Sequence, residues 1–149
     1  GGKKSLTKSV ENAEDDISDA IYQVKKNSIN KNDIVIGIAA SSNTPFTKAV
    51  LEESNKIGAL TIAIGNKRNG GIFNHAKFKI LLNTGEEVIN GSTRLKAGTS
   101  QKVCLNLIST MVMIKLNKVK KGQMIYVVPS NQKLRKRKQE IDLFLRNNL

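Results

Sequence analysis

The chain has 149 residues, 25 Lys and Arg against 12 Asp and Glu, and a formal net charge of +13. With 39% hydrophobic and 25% charged residues it has the composition of one folded domain rather than of a disordered tail. No apolar run reaches the length of a membrane span. One Cys cannot form an internal disulfide, and with one His it cannot build a tetrahedral zinc site, so a reducing cytoplasm is the expected compartment.

Residues 3–26 read as helical, with Leu6, Val10, Ala13, Ile17, Ala20, Ile21 and Val24 at helical spacing. A polar loop over 27–32 leads to Ile34-Val-Ile-Gly-Ile-Ala39, a β-branched run whose length predicts a strand buried on both faces. Ala40-Ser-Ser-Asn-Thr-Pro45 follows, then a helix to about Ile57, an exit at Gly58 and a second strand, Leu60-Thr-Ile-Ala-Ile64. Strand, loop, helix and strand make a βαβ unit with the usual right-handed crossover. Phe78-Lys-Ile-Leu-Leu82 adds a third strand. Val103, Leu107, Ile108, Met111, Val112, Ile114 and Leu116 predict a long helix from about Gly98 to Lys118 with a broad buried face, and Asn131–Arg146 forms a final amphipathic segment. The class is α/β. The absence of an initiator Met makes Gly1 read as an interior position of a longer chain.

Three stretches could carry chemistry. In Ser41-Ser-Asn-Thr-Pro45, Pro45 suits the first helical position and Thr44 the N-cap. Free N–H groups at that helix start, with the hydroxyls of Ser41, Ser42 and Thr44, would suit a phosphate; an unliganded Ser/Thr cap reads equally well. The stretch Glu86–Lys102 gathers hydroxyls, two glycines, Arg94 and Lys96 before the long helix, a composition suited to a phosphosugar and also to a plain capped loop. In Glu11-Asn-Ala-Glu-Asp-Asp16, Glu11 and Glu14 would share a helical face, as an acid/base pair or as solvated surface. His75 reads as solvated and Cys104 as a packing residue. Six Phe and Tyr residues are too few and too scattered for base stacking. The basic cluster Lys133–Lys138 gives nucleic acid only a distant claim.

Gly37-Ile-Ala-Ala-Ser-Ser-Asn-Thr-Pro45, Glu87-Val-Ile-Asn-Gly-Ser-Thr-Arg-Leu-Lys-Ala-Gly-Thr-Ser-Gln-Lys102 and Asn106-Leu-Ile-Ser-Thr110 resemble the N-acetylmuramic acid 6-phosphate etherases. Those enzymes belong to the sugar-isomerase (SIS) superfamily, which also contains the glucokinase regulatory protein. Glu11-Asn-Ala-Glu-Asp15 and Ser130-Asn-Gln-Lys-Leu134 fit the same order and spacing. The resemblance implies a partial, doubly wound parallel sheet of the flavodoxin-like SIS type over residues 1–118, and the start of a C-terminal helical region over 119–149. It implies a lyase that releases D-lactate from the lactyl ether by elimination, then adds water to give N-acetylglucosamine 6-phosphate, with no metal or organic cofactor.

Glu14 falls where one of the family's two acid/base glutamates stands. Ser92, Thr93 and Lys96 fall in the substrate loop, and Ser41 and Thr44 line the other strand-to-helix loop. The implied partners are a phosphorylated amino sugar and a second copy of the chain, or a separately encoded N-terminal half, with no membrane. The departures are specific. The family's upstream phosphate loop and its Ala-Ser-Glu-Cys-Pro-Pro segment, which holds the other glutamate, occur nowhere in these 149 residues. Its Ser-Gly-Arg-Thr-Pro reads Ser41-Ser-Asn-Thr-Pro45 here, and Gly122 and Tyr126 replace an expected Asn and Asp. The expectation is a truncated, weakly active or inactive etherase; the alternative is a non-catalytic phosphosugar-binding module.

Overall fold

A computed structural model describes residues 2–148, which form two compact units, one up to Lys102 and one from Val103 onward. In the first unit a 3-10 helix, Gly2–Leu6, precedes α1 (Ile17–Lys26), β1 (Ile34–Ala39), α2 (Pro45–Ile57), β2 (Leu60–Gly65), a second 3-10 helix, Gly71–His75, and β3 (Phe78–Leu81). The long helix α3 (Lys96–Lys115) begins in this unit and continues into the second. The second unit adds a small hairpin, β4 (Val119–Lys120) with β5 (Gln123–Met124), and α4 (Gln132–Asn147).

The sheet runs β1-β2-β3, all parallel, with Ile36 paired to Ile62 and Ile64 to Ile80. Side chains alternate across the strands, so Val35, Gly37 and Ala39 face α2. A Cβ on Gly37 would lie 2.7 Å from Leu51 Cδ1 and 2.9 Å from Thr47 Cγ2, so glycine lets the helix settle directly on the strand. Leu51 is wholly buried there, in a core with Ala39, Ala63, Ile72 and Phe73. Gly58 ends α2 in the left-handed region, φ 87°, with its N–H on the Asn55 carbonyl and that of Ala59 on Ser54.

Three expectations need correction. The N-terminal helix does not span 3–26: α1 starts only at Ile17, capped by Asp16, whose carboxylate accepts the Asp19 N–H at 2.8 Å. Upstream, Asn12 takes φ 60°, which breaks a helix, and Leu6 is 84% exposed with no core to join. Glu11 and Glu14 therefore lie on turns and share no helical face. Next, β1 is buried on one face alone: on the other, Ile34 is 61% and Ile36 36% exposed. Finally, α3 has no broad buried face: Val103, Leu107, Met111 and Leu116 are each more than half exposed. Its apolar residues point all round the axis, the pattern of a helix meant for enclosure on several sides. The third strand and the final helix are as expected.

Candidate functional site

Parallel strands bring the loops that follow them to one edge, so the segments after β1, β2 and β3 gather at the carboxyl end of the sheet. The first two are locked together through Ser42. This residue is fully buried and left-handed at φ 57°. Its N–H donates to the Ala39 carbonyl at 2.9 Å, its Oγ accepts the Lys67 N–H at 3.0 Å, and its carbonyl accepts the Ile72 N–H at 3.1 Å. Glycine makes room on the opposite side: a Cβ on Gly65 would sit 2.1 Å from Ser42 Oγ, and one on Gly70 1.9 Å from Ser42 Cβ.

Pro45 opens α2, with Thr44 at the N-cap position. The Thr44 hydroxyl makes no capping bond; it lies 3.4 Å from Ser41 Oγ, which also accepts the Asn43 N–H. Pro45 has no N–H to offer, and the Phe46 N–H donates to the backbone carbonyl of Glu14 at 3.0 Å. The helix start that would suit a phosphate or a plain cap is thus partly occupied by the protein itself. That same bond brings the turn carrying Glu14 against the start of α2. Glu14 and Thr44 consequently line one cleft of about 440 Å³, with Glu11, Phe46 and Thr47.

The loop after β3 is tied at its base by a residue that reading by composition passed over. Both carboxylate oxygens of Glu87 are engaged, Oε2 by the Lys96 N–H and Oε1 by the Ala97 N–H, each at 2.9 Å. These donors hold the Glu87 carboxyl below the usual carboxylate range. The Gly98 N–H goes to the Thr93 carbonyl at 2.8 Å, and the Thr99 N–H to Leu95 at 3.0 Å. Within the loop, Ser92 donates to the Ile89 carbonyl and Thr93 to that of Gly91. Thr93 and Glu87 line a second cleft of about 420 Å³, with Lys67, Arg68, Asn90 and Thr84.

Asn66, also missed, joins the three elements around that cleft. Its amide donates to the Leu82 carbonyl at 3.0 Å, to Thr84 Oγ1 and to Ser100 Oγ, while its oxygen accepts from Gln101 Nε2 at 2.8 Å. A short polar residue just after a strand was the available signal.

The predicted residues thus fall into two groups. Glu14, Ser41 and Thr44 meet at the start of α2; Ser92 and Thr93 lie on the loop into α3 and Lys96 opens that helix, with Ser92 half-buried and Lys96 exposed. The single Ala40–Thr44 loop reaches both clefts, through Ala40 to the second and Thr44 to the first. His75 stands with Nδ1 3.8 Å from a Glu52 oxygen, Cys104 is buried, and Tyr126 lies under Lys118 Nζ at 3.3 Å from the ring centroid. Among the described residues no cluster of His, Cys, Asp and Glu could hold a metal, and no helix is long and apolar enough to cross a membrane.

This is a parallel α/β domain, and its residues 1–55 match the family described as glucokinase regulatory protein N-terminal SIS domain. A solved structure of the Vibrio vulnificus NanR protein complexed with ManNAc-6P shares the fold alone, with a TM-score of 0.55 at 9% identity over 90% of this chain and 44% of that one. The more specific similarity is to N-acetylmuramic acid 6-phosphate etherases. That of Francisella tularensis subsp. tularensis is 45% identical over 141 residues, 95% of this chain and 48% of that protein. That of Clostridium botulinum strain Eklund 17B is 48% identical over the same share of this chain and 47% of its own. These similarities bear out the resemblance drawn from the motifs, and the chain spans about half the length of the curated relatives it matches.

Proposed function

We propose that this chain carries part of an N-acetylmuramic acid 6-phosphate etherase site and acts as a carbon–oxygen lyase on a phosphorylated amino sugar. The observation that carries the reading is the bond from the Phe46 N–H to the Glu14 carbonyl, which brings a carboxylate to the mouth of a strand-to-helix loop rich in hydroxyls. In this reading Glu14 moves the proton beside the open-chain aldehyde, the C–O bond to lactate breaks, and water adds at the vacated carbon. Ser41 and Thr44 contact the sugar from one side; Ser92, Thr93 and Lys96 do so from the loop into α3. The other family glutamate does not occur in these residues, so the chain alone turns over weakly. A segment or separate chain bearing that glutamate completes the site. The cytoplasm, where sugar phosphates are made and kept, is the compartment that fits.

A second reading, sugar-phosphate binding without turnover, draws on the exposure of Glu14. Incubation with N-acetylmuramic acid 6-phosphate and enzymatic assay of D-lactate separates the two. Release that Glu14→Gln abolishes, with the circular-dichroism spectrum unchanged, supports the lyase. Saturable binding of N-acetylglucosamine 6-phosphate with no lactate released supports the binding module.

A further inference from the structure

An α-helix opens with N–H groups that have no partner within the helix, and such groups ordinarily attract anions. At α3 every one of them is spoken for. Lys96 and Ala97 donate to the two oxygens of Glu87, Gly98 donates to the Thr93 carbonyl, and Thr99 donates within the first turn. Glu87 lies nine residues before Lys96, so this pair of bonds closes Glu87–Lys96 into a ring at its base. Inside the ring, the Ile89 and Gly91 carbonyls fix the backbone of Ser92 and Thr93, and Gly91 takes φ 82° to allow it. The ring's wall, through Glu87, Asn90, Gly91 and Thr93, faces the cleft beside Lys67 and Arg68.

We infer that Glu87 is a positioning residue: its carboxylate fills the start of α3 in place of a ligand anion and so holds the hydroxyl loop preformed for the sugar. This rests on the reading of that loop as a substrate wall. The helix start itself then binds no phosphate. The sugar meets the side chains of the ring instead, and the entropy of ordering eight loop residues is spent in folding rather than in binding.

The sign of the pH dependence follows from the depressed carboxyl. The tie is complete above the ordinary carboxylate range and is lost as pH falls through the lowered value in the folded protein.

The test is an amide NMR titration of the full chain and of Glu87→Gln, with Glu87→Asp as a second variant that keeps the charge but shortens the reach. In the wild type the Lys96 and Ala97 amides should titrate together with one acidic midpoint. In Glu87→Gln they should be flat, with hydrogen exchange over 91–96 faster by about three- to tenfold and the β2 amides unmoved. Inorganic phosphate should shift the Lys96 and Ala97 amides in Glu87→Gln and leave them in place in the wild type. N-acetylglucosamine 6-phosphate should bind Glu87→Gln about three- to tenfold more weakly. Unchanged loop exchange in Glu87→Gln, or wild-type amides that move with phosphate, overturns the inference. If the wild type binds no sugar phosphate, the proposed function fails; faster exchange in Glu87→Gln still supports the tie, and unchanged exchange still overturns it.

Discussion

Gly70 is the point at which one added carbon does the most damage. Its φ of −88° is open to any residue, so Gly70→Ala carries no backbone strain and tests packing alone. The new Cβ would lie 1.9 Å from Ser42 Cβ and 2.2 Å from the Ser42 carbonyl oxygen, against a normal contact of about 3.5 Å or more. No rotamer change can relieve a clash with backbone, so the two loops must part. Overpacking of this kind costs about 1–3 kcal/mol, and the shift also weakens the bonds from Lys67 and Ile72 to Ser42. Ser42→Gly removes the Cβ partner but leaves the carbonyl. Alone it should be near neutral, because relief at φ 57° offsets loss of the Lys67 bond, each worth about 1 kcal/mol. Combined with Gly70→Ala it should recover part of the loss, a coupling of about 1 kcal/mol in a double-mutant cycle. Urea titration followed by the β1 and β2 amide signals measures all four proteins. A Gly70→Ala midpoint equal to the wild type, or strict additivity with Ser42→Gly, would refute the argument that these loops interlock.

Leu51→Ala, at a fully buried position between α2 and β1, should cost about 2–5 kcal/mol and lower the urea midpoint of the same signals, with the slope retained. Asn66→Ala removes one residue that serves four partners, leaving the half-buried Gln101 and Ser100 groups to water. A loss of about 1–3 kcal/mol is expected, with hydrogen exchange rising first over 82–84. Asn43→Arg restores the cation that the resemblance expects in this loop, at an exposed position beside Thr44. It should tighten sugar-phosphate binding by about three- to tenfold at low ionic strength, an effect that calorimetry should show fading as salt is raised.

What could be read in the residues, and what could not, divides along the range of the forces involved. The strands at 34–39, 60–65 and 78–81 are short, mainly apolar runs, and the helix opening at Pro45 is marked by a threonine and a proline; both signals are local. The family motifs are long and contiguous, so they too are legible locally. The N-terminal helix was over-extended because Leu6 and Val10 kept a helical period that no partner satisfies: apolar spacing proposes a buried face, but only packing makes one. The same holds for α3, whose spacing says nothing of whether a layer lies against it. Glu87 was passed over for a different reason. Its role depends on two backbone N–H groups nine and ten residues away, a closure that composition does not encode.

The loop that departs from the resemblance shows why a lost glycine need not be a lost structure. Ser42 stands where the family pattern has glycine, and it takes a left-handed backbone of the kind glycine adopts freely. A side chain at a strained, wholly buried position is tolerated only where the surroundings hold it. Here Gly65 and Gly70 leave the space, and the Lys67 N–H uses the hydroxyl. The strain at Ser42 is thereby offset by a bond that fixes the loop after β2 against the loop after β1. The replaced arginine has no such compensation at its own position, since Asn43 is exposed and only its backbone N–H is engaged. Lys67, whose N–H is bonded to Ser42 Oγ, and Arg68 line the Thr93 cleft and not the Glu14 cleft. The loop framework is therefore intact without the glycine, and the cations Lys67 and Arg68 stand in the cleft with Thr93 rather than in the one with Glu14.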